Sequence, residues 1–298
     1  MAVTVATLDW GNRTPDLFID SMVKSAAVLE RFRLIDGVKS KVQVPIFDAS
    51  LTFGTDLCTF DPQSSASIDE KEMTVSTYKW AFKNCKNVLE TTYRSVLLKK
   101  GQHNPETMDA EFKDWVFDYF AKLSAQKALE LAATALTTEM AADADVIDYD
   151  TNAVLSEANI LTHLEGAYQA MSADMLAQIY GGADRSIRPA IFVGTKAMQY
   201  YQIAIADKHT TTPQGIIEGG VPNYFGMEVV LLSSLADNEF FISAPENLVM
   251  LTDDYNDVRA IDMEYEAKES TDNIWGQFKL GFSYLKGDEI VYAKDFTA

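Results

Sequence analysis

The sequence predicts an α+β protein, and three observations predict it. A helical apolar stripe occupies residues 104–139, two segments of period-two alternation precede it, and a series of strand–turn–strand units closes the chain. At 298 residues and 47% hydrophobic, the chain can bury a substantial core as one large domain or two ordinary ones. Aromatic residues reach 11% and no low-complexity tract occurs, which argues against disorder.

Residues 15–36, PDLFIDSMVKSAAVLERFRLID, have helical spacing. Thr14 suits a cap, Pro15 the first helical position, and Gly37 a stop. Leu17, Phe18, Met22, Ala26, Leu29 and Phe32 form one apolar face. That face lies far in sequence from the central core, so residues 1–36 are expected to pack on a neighbouring subunit, and their deletion to leave a soluble, folded subunit that assembles poorly.

Residues 39–85 change character. Val42, Val44 and Ile46 alternate with Lys41, Gln43 and Pro45, and Met73 and Val75 with Thr74 and Ser76. Such alternation suits strands with one wet face. Between them the stretch DASLTFGTDLCTFDPQSSASIDE is rich in Asp, Ser, Gly and Pro, giving a two-armed β excursion with a broad tip. Leu51, Phe53, Leu57 and Phe60 sit in that tip, where apolar groups on a solitary hairpin would be an aggregation hazard. They are expected to lie across an adjacent subunit.

Residues 104–139 begin with Asn104 as cap and Pro105 at the first position, followed by Glu106, Asp109 and Glu111 near the positive helix end. Met108, Phe112, Trp115, Val116, Tyr119, Phe120 and Leu123 make the stripe, which Leu129, Leu131 and Leu136 continue. A helix of this length is a rod of roughly 50 Å and needs an extended body to lie across.

After the polar acidic stretch DADVIDYDTNAVLS, helices are expected behind Ser156 and behind Ser172, with Gly181-Gly182 as a stop. RPAIFVG reads as a short buried strand, TKAMQYYQIAIADK as a helix, and TTTPQGIIEGGVPNYFG as a loop with a short hairpin. YFGMEVVLLSSLADNEFFISAPENLVMLTDD alternates strands with turns, and further strands are expected at 258–267, 274–284 and 289–293.

The residues that usually carry chemistry do not converge. His103, His163 and His209 lie in no metal-ligand spacing. Gly194-Thr195-Lys196 lacks the order of a phosphate loop, Gly181-Gly182 is no dinucleotide fingerprint, and no Gly-x-Ser-x-Gly elbow occurs. Asp253, Asp254, Asn256 and Asp257 lack the central glycine of a calcium loop. Trp80, Trp115 and Trp275 are expected in the core. No catalytic, cofactor-binding or metal-binding residue is assigned, and the chain is not read as an enzyme.

A net charge of −19 argues against gripping phosphate backbones, and suits a surface that repels DNA. Cys58 and Cys85 are too few for a disulfide scaffold, and free thiols of a reducing cytoplasm are expected. The N-terminal MAVTVATLDWGNRTPD has no signal-peptide pattern, and no apolar run approaches the ~18 residues of a membrane span.

The order of parts, from arm with helix through β excursion, very long helix and α/β region to closing strands, resembles the Hong Kong 97 fold of tailed-phage major capsid proteins over essentially the whole chain. By that resemblance residues 1–38 are the N-terminal arm, 39–85 the extended loop, 86–154 and 244–298 the peripheral domain with spine helix 104–139, and 155–243 the axial domain. The passage from Gly226 through Val230 to FFISAPENLVM is similar to the family's exit from the axial domain. The resemblance implies self-assembly into hexamers and pentamers of an icosahedral head, built in the host bacterial cytoplasm. Such a head encloses double-stranded DNA without sequence-specific binding and has no membrane. A separate scaffolding protein is implied, with portal and decoration proteins as further partners. Phe18, Met22 and Leu29 of the arm, and Leu51, Phe53, Leu57 and Phe60 of the loop, are the candidate inter-subunit contacts. Some members form isopeptide cross-links between a loop lysine and a distant asparagine. Lys71, Lys79 and Asn273 lie in the corresponding regions, but non-covalent contacts are the default expectation. Two alternatives stay open: an encapsulin-type shell protein, and a cytoplasmic α/β enzyme or ligand-binding protein with its pocket at strand ends within 156–232.

Overall fold

The computed structural model describes residues 28–50, 65–85, 110–181, 188–208, 217–218, 221–253, 261–266 and 271–294. One long helix and two larger sheets organise it. Helix α1 (Ala110–Ala142) is 33 residues long. Along its C-terminal half Ala125, Ala128, Ala132, Leu136 and Met140 recur at steps of three and four and are all buried. The alanines let the helix lie close on β13 (Thr271–Tyr284), whose Phe278, Leu280, Phe282 and Tyr284 join the same apolar cluster.

Strand β13 is the spine of the first sheet. Along one edge it pairs antiparallel with β11 (Leu248–Thr252) and β12 (Ile261–Glu266), along the other with β4 (Ser76–Cys85). The short β1 (Arg33–Ile35) adds parallel to β11. The second sheet has the order β5 (Ile147–Asp150), β14 (Ile290–Lys294), β10 (Phe240–Ser243), β6 (Ala190–Val193), β9 (Met227–Leu231), β8 (Val221–Tyr224) and β7 (Ile217–Glu218). Both of its faces are covered. Phe192, Val230, Phe241 and Tyr292 point into the cluster shared with α1, while Ile191, Val193, Val229, Phe240, Ile242 and Val291 pack under α2 (Ile160–Gln169), α3 (Ala173–Tyr180) and α4 (Thr195–Lys208). Cover on both sides explains why AIFV and FFIS are apolar at nearly every position rather than alternating. The parallel pair β6–β9 needs a crossover, which α4 supplies.

A third, separate sheet is the ribbon of β2 (Lys41–Ser50) and β3 (Ser65–Thr74), paired antiparallel from Lys41↔Thr74 to Ser50↔Ser65.

The long helix, the first ribbon arm, the strands 190–193, 227–231, 240–243 and 248–252, the short hairpin and the closing strands follow the sequence reading. Ser172 caps α3, its hydroxyl accepting from the Met175 N–H at 3.4 Å. Several expectations are corrected. A helix running to residue 36 is not found: after a 3-10 turn at Leu29–Arg31 the chain becomes extended, because Arg33–Ile35 pair with Val249–Leu251. Ser156 does not open a helix directly, since α2 starts at Ile160 after a turn in which the Ser156 N–H donates to Asn159 Oδ1. The acidic stretch read as polar connection contains β5, parallel to β14. The second arm of the 39–85 excursion is Ser65–Thr74, which begins inside the stretch read as the tip; the chain breaks at Val75, and Ser76–Cys85 pair with β13 instead. Trp275 is 41% exposed rather than in the core, while Trp80 packs against the main cluster.

Candidate assembly surfaces

The ribbon's two faces differ as the alternation requires. Lys41, Gln43, Pro45, Glu70 and Glu72 are exposed on one face, where Lys41 Nζ pairs with Glu72 Oε2 at 2.8 Å. Val42, Val44 and Met73 lie on the other, which turns towards the body. Met73 is 2% exposed and packs with Val38, Val249 and Leu251. The base is also held through the backbone, the Val75 N–H donating to Ser40 O at 2.8 Å and the Val38 N–H to Thr252 O at 2.9 Å. Further out the ribbon presents Ile68, 66% exposed.

Halfway along β3, Lys71 reaches the C-terminal end of α1. Its Nζ lies 2.8 Å from Glu139 Oε1, 3.9 Å from Asp143 Oδ2 and 3.3 Å from the centre of the Tyr284 ring. The same carboxylates accept from β13: Ser283 Oγ donates to Glu139 at 2.9 Å and Tyr284 OH to Asp143 at 2.6 Å. Burial pushes the Asp143 carboxyl up, but the hydrogen bonds from Tyr284 and the Asp145 N–H and the charge of Lys71 outweigh it, leaving it below the usual range. Burial, and then the Asp143 hydrogen bond, push the Tyr284 phenol far up, so it stays a donor. Beside this cluster a cleft of about 540 Å³ opens between ribbon and body, lined by Ile46, Asp69, Glu70 and Asp145 among others.

A second exposed group lies on the α/β side. The β8–β9 turn places Phe225 at φ 49° and Gly226 at φ 80°, a geometry a bulky side chain rarely adopts. The Phe225 ring is stacked on Tyr168 at 4.6 Å, and the Tyr168 and Tyr180 hydroxyls are hydrogen-bonded. Tyr180 is 72% exposed. At the far end of the first sheet, Phe82 and Trp275 are also exposed.

Of the candidate inter-subunit residues, Phe18, Met22, Leu51, Phe53, Leu57 and Phe60 lie outside the described residues. Leu29 is corrected: at 1% exposure it belongs to the subunit's own core with Phe32, Phe192 and Phe282, so it is not presented to a neighbour. Lys71, considered for cross-linking, is held within its own chain, and Asn273 Nδ2 donates to Glu266 Oε2 at 3.3 Å. Among the described residues no group of three or more His, Cys, Asp or Glu is placed to hold a metal, and no helix is long and apolar enough to cross a membrane. The sequence reading passed over the Lys71 cluster. Its one signal is an α1 end with Glu139 and Asp143 but no basic residue in its last turn.

A projecting ribbon, a long helix laid across a sheet spine, and an α/β sheet flanked by helices together define the Hong Kong 97-like capsid fold. Solved structures share it across most of the chain. The satellite phage P4 procapsid including size determination (Sid) protein matches at TM-score 0.60 and 10% identity, covering 93% of this chain and 97% of that one. The capsid of the native GTA particle matches at TM-score 0.57 and 10% identity, covering 91% and 90%. The virus-like particle from Pyrococcus furiosus matches at TM-score 0.53 and 10% identity, covering 93% and 96%. No family model matches the sequence, and no curated protein does.

Proposed function

We propose that the chain is a major capsid protein of a tailed phage, a structural subunit that assembles with copies of itself into hexamers and pentamers of a DNA-enclosing head. The observation that carries this reading is a likeness to capsid subunits across most of the chain, with a ribbon that, among the described residues, is anchored to its own subunit near its base and at Lys71. An extended two-stranded element is marginal in water by itself, and neighbouring copies would supply the missing surface. In this reading 1–38 form the arm, 39–85 the extended loop, 86–154 and 244–298 the peripheral domain, and 155–243 the axial domain. The second sheet adds that β14 and β5 stand beside the axial strands. The charge of −19 supports an inner wall over which DNA slides during packaging. A separate scaffolding protein, a portal and decoration proteins complete the assembly in the host cytoplasm. The likeness to the Pyrococcus furiosus virus-like particle supports, as a second and weaker reading, an encapsulin-type shell protein.

Electron microscopy of the expressed chain tests the reading, with the variant Phe53→Ser/Phe60→Ser as its second arm. Closed particles are expected from the unsubstituted chain. The variant should give few, with thermal unfolding of the subunit nearly unchanged. Absence of regular particles under all assembly conditions would count against a shell. A variant that unfolds the subunit would place both phenylalanines in its own core.

A further inference from the structure

The C-terminal end of α1 is electrostatically unsatisfied by its own sequence. The last turn carries no basic residue, while Glu139, Asp143 and the adjoining Asp145 put negative charge at the negative end of the helix dipole. Lys71 is the compensating cation in contact with that end, and it arrives from another sheet. Its ammonium also lies over the Tyr284 ring, whose hydroxyl is tied to Asp143, so one side chain engages helix, strand and ribbon together. Only a fifth of the Lys71 side chain is exposed.

The ribbon's base is fixed, with Met73 buried against Val38, Val249 and Leu251 and the Val75 N–H bonded to Ser40 O, so bending falls beyond it. One arm enters through the bends at Lys39 and Ser40, and the other leaves at Val75, where the strand is interrupted before β4. Beyond the Met73 contacts, the body-facing side carries Val44 and Lys71 and then Asp69 beside the cleft, while Glu70 stands on the exposed face at its rim. Asp69 lines the same cleft as Asp143 and Asp145, so like charges face one another there and oppose docking once Lys71 is removed.

We propose that Lys71 is a releasable latch, which holds the outer part of the β2–β3 ribbon at one angle by capping the acidic end of α1, and whose displacement lets the ribbon bend beyond its fixed base at Val42 and Met73. A competing cationic group at Glu139 and Asp143 would open it. The latch stands whether or not the chain builds shells.

The test is the distance between spin labels at Ser67 on the ribbon and Gln126 on α1 in the full chain, with Cys58 and Cys85 replaced by serine. A narrow distribution is expected with Lys71 in place. Lys71→Met should broaden it by roughly two-fold, since a second ribbon position becomes populated. Glu139→Gln/Asp143→Asn should do the same, and all three changes together should add nothing further, because one interaction has been removed twice. Unaltered distributions in Lys71→Met, or effects of the two variants that simply add, would overturn the latch. Should Lys71→Met fail to fold, an unaltered distribution in the carboxylate variant alone would also overturn it.

Discussion

Gly281 lies against the backbone of Thr74 with no room for a side chain. A Cβ at Gly281 would overlap the Thr74 carbonyl oxygen and stand 3.2 Å from Leu251 Cδ1. The ribbon base therefore reaches the spine strand only because β13 has a glycine there. Gly281→Ala should push Thr74 away and cost about 1–3 kcal/mol, as overpacking does. Chemical denaturation gives the cost, and hydrogen exchange should rise at Val75 more than at Phe241. Unchanged stability and exchange would mean that the contact is dispensable.

Leu29 and Phe32 fix the arm's junction to the core, the Phe32 ring making edge contacts with Phe192 and Phe282 at 6.3 and 6.4 Å. Truncation through residue 36 should therefore destabilise the subunit itself, contrary to a dispensable helix. Leu29→Ala alone should cost about 2–4 kcal/mol in urea unfolding. A loss below about 0.5 kcal/mol, the usual range of surface changes, would return Leu29 to the list of inter-subunit contacts.

His163 on α2 makes stability depend on pH. Its Nδ1 is buried without a hydrogen-bond partner among the described residues, and burial holds the imidazole below its usual value. The unfolded chain takes up a proton near pH ~6.5 while the folded chain resists it. This contribution is fully present above that value and is lost as pH falls below it, through the depressed value of the folded chain. His163→Leu should flatten the unfolding free energy over that interval. An unchanged slope would assign the pH dependence to other groups.

Legibility in the sequence followed the range of the interaction. The existence of helix α1, the Ser172 cap and the doubly buried strands AIFV and FFIS depend on neighbours within a turn or on plain apolarity, and were readable; the face α1 buries was not, for it runs through Ala125, Ala128 and Ala132, while Leu123 of the expected stripe is exposed. Strand β1 was not, because its helical spacing is overridden by pairing with Val249–Leu251 some two hundred residues away. Strand β5 hid in an acidic stretch because its parallel partner is β14, near the other end of the chain. Lys71 looked like any surface lysine. Its role depends on Glu139, Asp143 and Tyr284 meeting in space, and no local pattern records that.

The most direct test of the proposed shell role is the mass of the purified chain by light scattering across ionic strength. With −19 per subunit, like charges oppose association until salt shortens the Debye length to ~10 Å near 0.1 M. Species of five or six copies and far larger particles should grow in with added salt through the low range. A stable 33.1 kDa monomer at every concentration and ionic strength would contradict the account.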